Sequence, residues 1–397
     1  MNILEEIQNC PVEWKELGEV CELKNGYTPS KTNKEFWENG TIPWFRLEDI
    51  RKNGRVLSNS LQHVSRNAIK GGKVFTANSL IVSTTATIGE VALITVPFLC
   101  NQQITAVMIK QKYEKDLDIK FLFYYLQILS SDMKKGINEG SFPIVSLSKM
   151  RSFKIPIPPL KIQEKIVQIL DKFTEYVTEL TSELTSELTS RKKQYSFYRD
   201  KLLSFEDEVY QVEWKTLNEC LKKGKGTKIT ASQMKLLHKE GAPIRIFAGG
   251  KTYADVNYGD IPDKDIHTEE AIVVKSRGII DFEYCTEPFS FKNEFWSYSS
   301  DNENINLRYI YHYLVHNKEY FQNIANNMQM PQISSNDTEK FKIPVPSLEI
   351  QSRIVQVLDN FDTVCNDLNI GLPREIELRQ KQYEYFREKL LTFVAEG

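Results

Sequence analysis

No run of about 18 apolar residues occurs in this chain, so no segment reads as a membrane-spanning helix. Cysteine is sparse: Cys10, Cys21, Cys100, Cys220, Cys285 and Cys365 lie far apart, and none forms a C-x-x-C pair. That excludes a disulfide framework or a zinc ribbon and predicts reduced, mostly buried thiols. Net charge is nearly absent too, with 51 Lys and Arg against 53 Asp and Glu. The chain is no bulk polycation, and any nucleic-acid surface must be local. The opening "MNILEEIQNC" carries acids where a secretory leader carries bases, which predicts a cytoplasmic protein. Core material, by contrast, is ample. Hydrophobic residues make up 41% of 397, enough for two or three domains and too many for wholesale disorder.

Catalytic motifs are lacking as well. The nearest approach to a P-loop is "RIFAGGKT", where Arg245 replaces the glycine that lets backbone wrap a phosphate. There is no H-E-x-x-H. His312 and His316 are four apart on an expected helix, but no third metal ligand is evident, and they read as a helical surface pair. No G-x-S-x-G elbow, Gly-rich βαβ fingerprint or Asn/Asp-Pro-Pro-aromatic loop of a base methyltransferase is present. The sequence predicts no catalyst, no bound metal and no cofactor of its own.

What the chain does have is itself, twice. "VEWKELGEVCEL" at Val12–Leu23 returns as "VEWKTLNECLKK" at Val212–Lys223, an offset of 200. "FKIPIPPLKIQEKIVQILDKF" at Phe153–Phe173 returns as "FKIPVPSLEIQSRIVQVLDNF" at Phe341–Phe361, and "KKQYSFYRDKLLSF" at Lys192–Phe205 returns as "QKQYEYFREKLLTF" at Gln380–Phe393, both offset by 188. The helical ends match in length, and the stretch between opening and helix is 12 residues shorter in the second half.

The proline segments read as stiff extended entries. Each leads into a helix with a narrow apolar seam, the mark of pairing with one partner. In the first, Ile162, Ile166, Leu170, Phe173, Val177, Leu180, Leu184, Leu188, Tyr195, Tyr198 and Leu202 step by three or four. From Lys161 to Ser204 this helix spans roughly 65 Å at about 1.5 Å per residue. The second seam runs through Ile350, Ile354, Leu358, Phe361 and Leu368, breaks at "GLP" (Gly371–Pro373), and resumes from Arg374 through Leu391, with Tyr383 the counterpart of Tyr195. Within the first helix "TELTSELTSELTSRKKQY" repeats Thr-Ser-Glu-Leu, keeping Leu180, Leu184 and Leu188 on the seam and Glu179, Glu183 and Glu187 beside it. The predicted class is α+β: two variable domains separated by two long helices that pair as an antiparallel coiled-coil spacer, with a pseudo-twofold internal repeat. The expected boundaries are 1–152, 153–206, 207–340 and 341–397.

The regions between repeats share a scaffold. "SLIVSTTATIGEVALI" and "EAIVVKSRGIIDFEY" read as strand-turn-strand, and "FLFYYLQIL" and "RYIYHYLVH" as short buried helices. Their loops differ, which suggests two ligands recognised in parallel. In the first region, "KNGYTPSKTNKEFW" and "IPWFRLEDI" offer Lys31, Lys34, Trp44 and Arg46, and "CNQQ" offers the amides Asn101, Gln102 and Gln103, which suit adenine. In the second, "KKGKGTKIT" offers Lys225, Thr227 and Lys228 for phosphates, "RIFAGGKT" offers Arg245 and Lys251, and "IVVKSRG" offers Lys275, Ser276 and Arg277, with Arg277 suited to guanine. A lone basic loop is also what a solvated loop looks like, and a lone Trp44 is commonly core. "PIVS" (Pro143–Ser146) and "PQIS" (Pro331–Ser334) recur at matching places, which favours a structural turn.

The whole pattern resembles the specificity subunit of type I restriction-modification enzymes. The paired "FKIP" helices, the paired "KQY" endings, the "VEWK" openings and "GYTPSK", "IPWFRLEDI" and "STTATIGEVAL" carry the likeness over essentially the full chain. The resemblance implies that each variable domain reads one half of a split, asymmetric site in double-stranded DNA. It implies that the helices space the halves and dock two modification subunits, and that restriction subunits join them. S-adenosylmethionine, ATP and Mg would sit on those partners, in a bacterial or archaeal cytoplasm. A coiled-coil scaffold presenting two protein-binding domains, and a stand-alone enzyme, are the rival readings. Duplex binding that weakens steeply with salt separates the first rival, and methylation by the isolated chain would revive the second.

Overall fold

The computed structural model describes residues 3–85, 87–135, 144–205, 212–326 and 331–393. It forms two compact units, Met1–Ser182 with Glu377–Gly397, and Glu183–Ile376. Each combines a mixed module with paired helix segments, and the division falls within the helices at Ser182 and Ile376.

In the first unit the opening strand Glu13–Glu16 lies antiparallel to the closing strand Lys154–Ile157, with Trp14 opposite Pro156. In the second, Glu213–Thr216 lies antiparallel to Lys342–Val345, with Trp214 opposite Pro344. Each pair is an isolated two-stranded sheet, so every strand is an edge and can carry a proline that donates no hydrogen bond. The proline segments thus do more than stiffen the helix entry: they close each module on itself.

Inside the first module a five-stranded sheet runs in the order Cys21–Asn25, Ile104–Ile109, Ser79–Ser83, Val91–Ile94, Val56–Leu57. A three-stranded sheet places Ile42–Phe45 between His63–Val64 and Leu99–Cys100. The second module repeats this with one strand fewer: Lys222–Lys225, Trp296–Ser299, Ala271–Lys275, Asp281–Cys285, then Tyr253–Val256, Ile244–Phe247, Phe289–Phe291. The central strands Ser79–Ser83 and Ala271–Lys275 are buried throughout, which their β-branched runs anticipate. Cys21, Cys100, Cys220, Cys285 and Cys365 are buried and unbridged. Burial pushes the Cys21 and Cys285 thiols up to about 12, so they stay protonated and inert.

The buried helices Ile119–Lys135 and Leu307–His316 dock their modules on the long helices. Two clasps fix the dock, and both recur. Gln163, fully buried, donates to the carbonyls of Asp116 and Pro158, each at 2.7 Å, and accepts from the Asp118 amide at 2.8 Å. Gln351, equally buried, donates to Asn304 and Pro346 and accepts from Asn306. Asp171 then receives Lys120 at 2.6 Å and the Tyr124 hydroxyl at 2.7 Å, where Asp359 meets Arg308 at 3.0 Å and His312 at 2.7 Å. His312 is therefore not half of a surface pair. It is 4% exposed and hydrogen-bonded into the dock, while His316 approaches Asp200.

The first long helix is continuous over Leu160–Ser204. Leu180, Leu184 and Leu188 are half-buried, while Glu179, Glu183 and Glu187 are exposed, as the spacing requires. The second comes in two pieces, Leu348–Asn366 and Leu372–Leu391. At the break a Cβ on residue 371 would lie 2.5 Å from the Thr363 carbonyl, so only glycine fits. Helix restarts at Leu372 rather than Arg374, because Pro373 is tolerated in a first turn, where no donor is needed. Leu368 falls in the break and is 71% exposed, so it leaves the seam predicted for it. No helix among the described residues is long and apolar enough to cross a membrane.

Seam contacts within each unit mirror one another. In the first, Phe173 stacks on Tyr383 at 6.5 Å and meets Phe386 edge-on at 5.4 Å, and Thr174 bonds the Tyr383 hydroxyl at 2.9 Å. In the second, Phe361 stacks on Tyr195 at 6.0 Å and on Tyr198 at 5.7 Å. Leu202 packs against the core that holds Ile354 and Leu358. Later residues of one segment face earlier residues of the other in both cases, so the paired segments run antiparallel.

Candidate nucleic-acid interface

Three segments distant in sequence converge in each module, held by the same backbone bonds. In the first, Trp44 and Phe45 pair in parallel with Leu99 and Cys100. The Tyr27 amide donates to the Cys100 carbonyl at 2.8 Å and the Asn101 amide to Phe45 at 3.1 Å. A tight turn follows, closed by the Ile104 amide on the Asn101 carbonyl. In the second, Ile246 and Phe247 pair in parallel with Ser290 and Phe291. The Thr227 amide donates to Phe291 at 2.8 Å, Lys292 to Phe247 at 3.1 Å, and Phe295 closes the turn on Lys292. Gly26 and Gly226 stand where the crossing is tightest: a Cβ on either would lie 2.2 Å from the carbonyl of Cys100 or Phe291.

The expected contact residues divide sharply by exposure. Trp44 is 3% exposed, and its indole N–H donates to Tyr27 at 3.0 Å. Asn101 is 7% exposed and spends its amide on Gln103, whose backbone and side chain both pair with it. Thr227, Lys275 and Ser276 are each 2% exposed. Lys275 lies 2.5 Å from Glu283 and donates to the Gly250 carbonyl, and Ser276 donates to Glu294. These five serve the scaffold, and their burial corrects the expectation that they face a ligand. Arg245 is exposed but already neutralised by a two-pronged pair with Asp255 at 2.8 and 3.2 Å, over the Tyr253 ring. Arg46 is half-buried above Trp44 and 3.3 Å from Glu48.

Lys31, Lys34, Gln102, Lys225, Lys228, Lys251 and Arg277 remain exposed. The loop 28–34 and the turn of Gln102 are joined by the Thr28 hydroxyl, which donates to Gln102. Arg277 follows the central strand and pairs through its backbone with Gln332, the place that Thr85 and Ile144 hold in the first module. Ser146 and Ser334 begin short helices at matching positions, which explains the recurring "P-x-x-S"; Pro143 lies outside the described residues. "RIFAGGKT" is a hairpin between Ile244–Phe247 and Tyr253–Val256, not the strand-loop-helix of a phosphate cradle. No cluster able to hold a metal ion occurs among the described residues.

Sequence reasoning missed the buried glutamines and the aspartates of the clasps. The signal was there: "KIQ" with "EIQ" and "ILDKF" with "VLDNF" preserve a polar residue beside an apolar seam. It also missed that Lys292 and Asn293 stand in the second turn where Asn101 and Gln102 stand in the first, a correspondence visible only when the two turns are set side by side.

The model of a "Type I restriction modification DNA specificity domain" matches twice, at residues 11–190 and 211–378. The chain is 41% identical over 369 residues to the type I restriction enzyme EcoprrI specificity subunit of Escherichia coli, covering 90% of this chain and 89% of that protein. It is 35% identical over 299 residues to the EcoR124I/EcoR124II specificity subunit, also of Escherichia coli, covering 69% and 71%. The crystal structure of a type I restriction-modification S subunit from M. genitalium shares the fold, with a TM-score of 0.54 at 16% identity over 98% of both chains.

Proposed function

Because the chain belongs to the type I restriction-modification DNA specificity family, we propose that each of its modules reads one half of a bipartite, asymmetric site in double-stranded DNA. Its role is recognition, not catalysis. The observation that carries the two-reader assignment is one backbone crossing built twice, under different exposed side chains. In the first module Gln102 faces bases while Lys31 and Lys34 meet phosphates. In the second, Arg277 reads a base while Lys225, Lys228 and Lys251 meet phosphates.

The long helices set the distance between half-sites and dock two modification subunits. Those partners supply S-adenosylmethionine chemistry, and restriction subunits supply ATP- and Mg-dependent work, in a bacterial or archaeal cytoplasm. Two measurements test this. Duplex affinity of the assembled complex should fall with salt at a log-log slope of about −0.9 per phosphate neutralised. Methylated DNA from cells carrying the system should show one motif of two fixed parts around an unspecified spacer. A chain that binds no duplex, but holds two protein ligands, would return the scaffold reading.

A further inference from the structure

The two crossing points can be superposed residue by residue, and the superposition assigns a role to a residue with no obvious motif. Asn101 and Lys292 hold the same place, since each donates its amide to the strand beside it, Phe45 or Phe247, at 3.1 Å. Both turns close three residues later, at Ile104 and Phe295. Gln103 and Glu294 also correspond, because their carbonyls receive the hydroxyls of Thr84 at 3.4 Å and Ser276 at 2.8 Å from the equivalent central-strand ends. Between these fixed points the turn tips are Gln102 and Asn293, and both are exposed.

Both tips carry a carboxamide. Asparagine is at home in turns, so Asn293 alone could be turn chemistry. Glutamine is not a turn former, so the same explanation fails at Gln102. A carboxamide is the group that bonds adenine bidentately, oxygen to N6 and nitrogen to N7. Gln102 accepts the Thr28 hydroxyl, which leaves a second lone pair and both N–H groups for a base. Asn293 has no side-chain partner among the described residues. Beside it runs the strand-end segment of Lys225 and Lys228, since Thr227 bridges to Lys292. An exposed lysine-bearing segment thus runs beside a free amide.

We infer that Asn293 reads an adenine in the second half-site as the counterpart of Gln102 in the first. The inference rests on the two-reader assignment above and names the position that does the reading. The test uses the full chain with its partner subunits. Asn293→Ala should remove one adenine requirement from the second half of the methylated motif and leave the first half intact, and Gln102→Ala should do the reverse. Binding of the cognate duplex by Asn293→Ala should weaken about 10- to 100-fold. A 7-deaza-adenine at the affected position, which lacks N7, should weaken the wild type and leave the variant unmoved. If Asn293→Ala keeps the motif and binds within about twofold, or weakens every duplex alike, Asn293 is a turn residue and the inference fails. If Asn293→Ala methylates nothing, the duplex series decides by the same criteria. A wild type without a two-part motif would sink the two-reader assignment instead.

Discussion

In the first unit Asp171 holds Lys120 and Tyr124; in the second, at the same step of the repeat, Asp359 holds Arg308 and His312. The buried glutamines, the closing sheets and the stacked seam aromatics correspond in the same way. Around the turn tips and in the glycine-bearing loops the backbone, the crossing glycines Gly26 and Gly226 and a carboxamide at each tip correspond, while most of the other exposed side chains differ. The difference teaches where constraint lies. Docking must satisfy buried polar groups, which tolerate few substitutions. Reading needs only a rigid frame, and the frame is held by main-chain bonds that are indifferent to the side chains they present.

The strongest way to break this comparison is to exchange a module outright. Replacing residues 12–152 with the equivalent region of a relative should replace one half of the methylated motif and leave the other untouched. A change in both halves would end the claim of independent reading. Next in size is the clasp. Gln351→Leu strands the Asn306 amide and the carbonyls of Asn304 and Pro346. It should cost about 2–4 kcal/mol in denaturant unfolding. Gln163→Leu should cost a similar amount, and a cost under about 0.5 kcal/mol for either would mean the clasp is ornamental.

Smaller effects sharpen the comparison. Arg277→Ala should relax one position of the second half-site by about 1–3 kcal/mol if its contact is bidentate. Lys225→Ala should weaken all duplexes alike and reduce the salt slope by about one. Arg277→Ala with an unchanged motif would return that residue to the scaffold.

The histidines offer an asymmetry of pH. Tyr124 and Ile128 stand in the first unit where His312 and His316 stand in the second. Burial holds both imidazoles below their usual range, against the pull of Asp359 on His312 and Asp200 on His316, with Arg308 and Arg199 adding to the depression. The unfolded chain therefore takes up protons first as pH falls below about 6.5, and the second unit loses stability from there down to the folded-state pKa. Above that window these groups contribute no slope. Hydrogen exchange at pH 7.5 and 5.5 should show protection falling in Leu307–His316 and holding in Ile119–Lys135; equal loss in both would refute the assignment.

Much of this was legible in the chain. The long helix was readable to within one residue at its start, because its seam, its proline entry and its length are local facts. The strand-turn-strand segments and the break at "GLP" were readable for the same reason. The closing sheets were not, since Trp14 and Pro156 meet across the whole module and neither carries a sign of the other. Trp44, Asn101, Thr227, Lys275 and Ser276 were misjudged for a related reason. Residue type proposes a contact, but burial is decided by which distant loops arrive, and here a tight crossing covers them. Leu368 fitted the helical period and was lost only because the helix ends two residues earlier.

The central helix has a further consequence, and it concerns inheritance. Each unit of the Thr-Ser-Glu-Leu run brings its own half-buried leucine, at Leu180, Leu184 and Leu188, and leaves its glutamate exposed. Adding a unit lengthens the helix by about 6 Å and turns it by about 40°. At about 3.4 Å per base pair, half-sites set one or two pairs further apart should then fit best, and deleting a unit should shorten the spacer. Methylated motifs of the two variants check this; active variants with an unchanged spacer would leave a plain coiled coil. A verbatim repeat is also what a polymerase miscounts. Each slip adds or removes twelve nucleotides, leaves the reading frame whole, and spares both modules. A lineage could then acquire a new target in one copying error, without altering a single residue that touches a base.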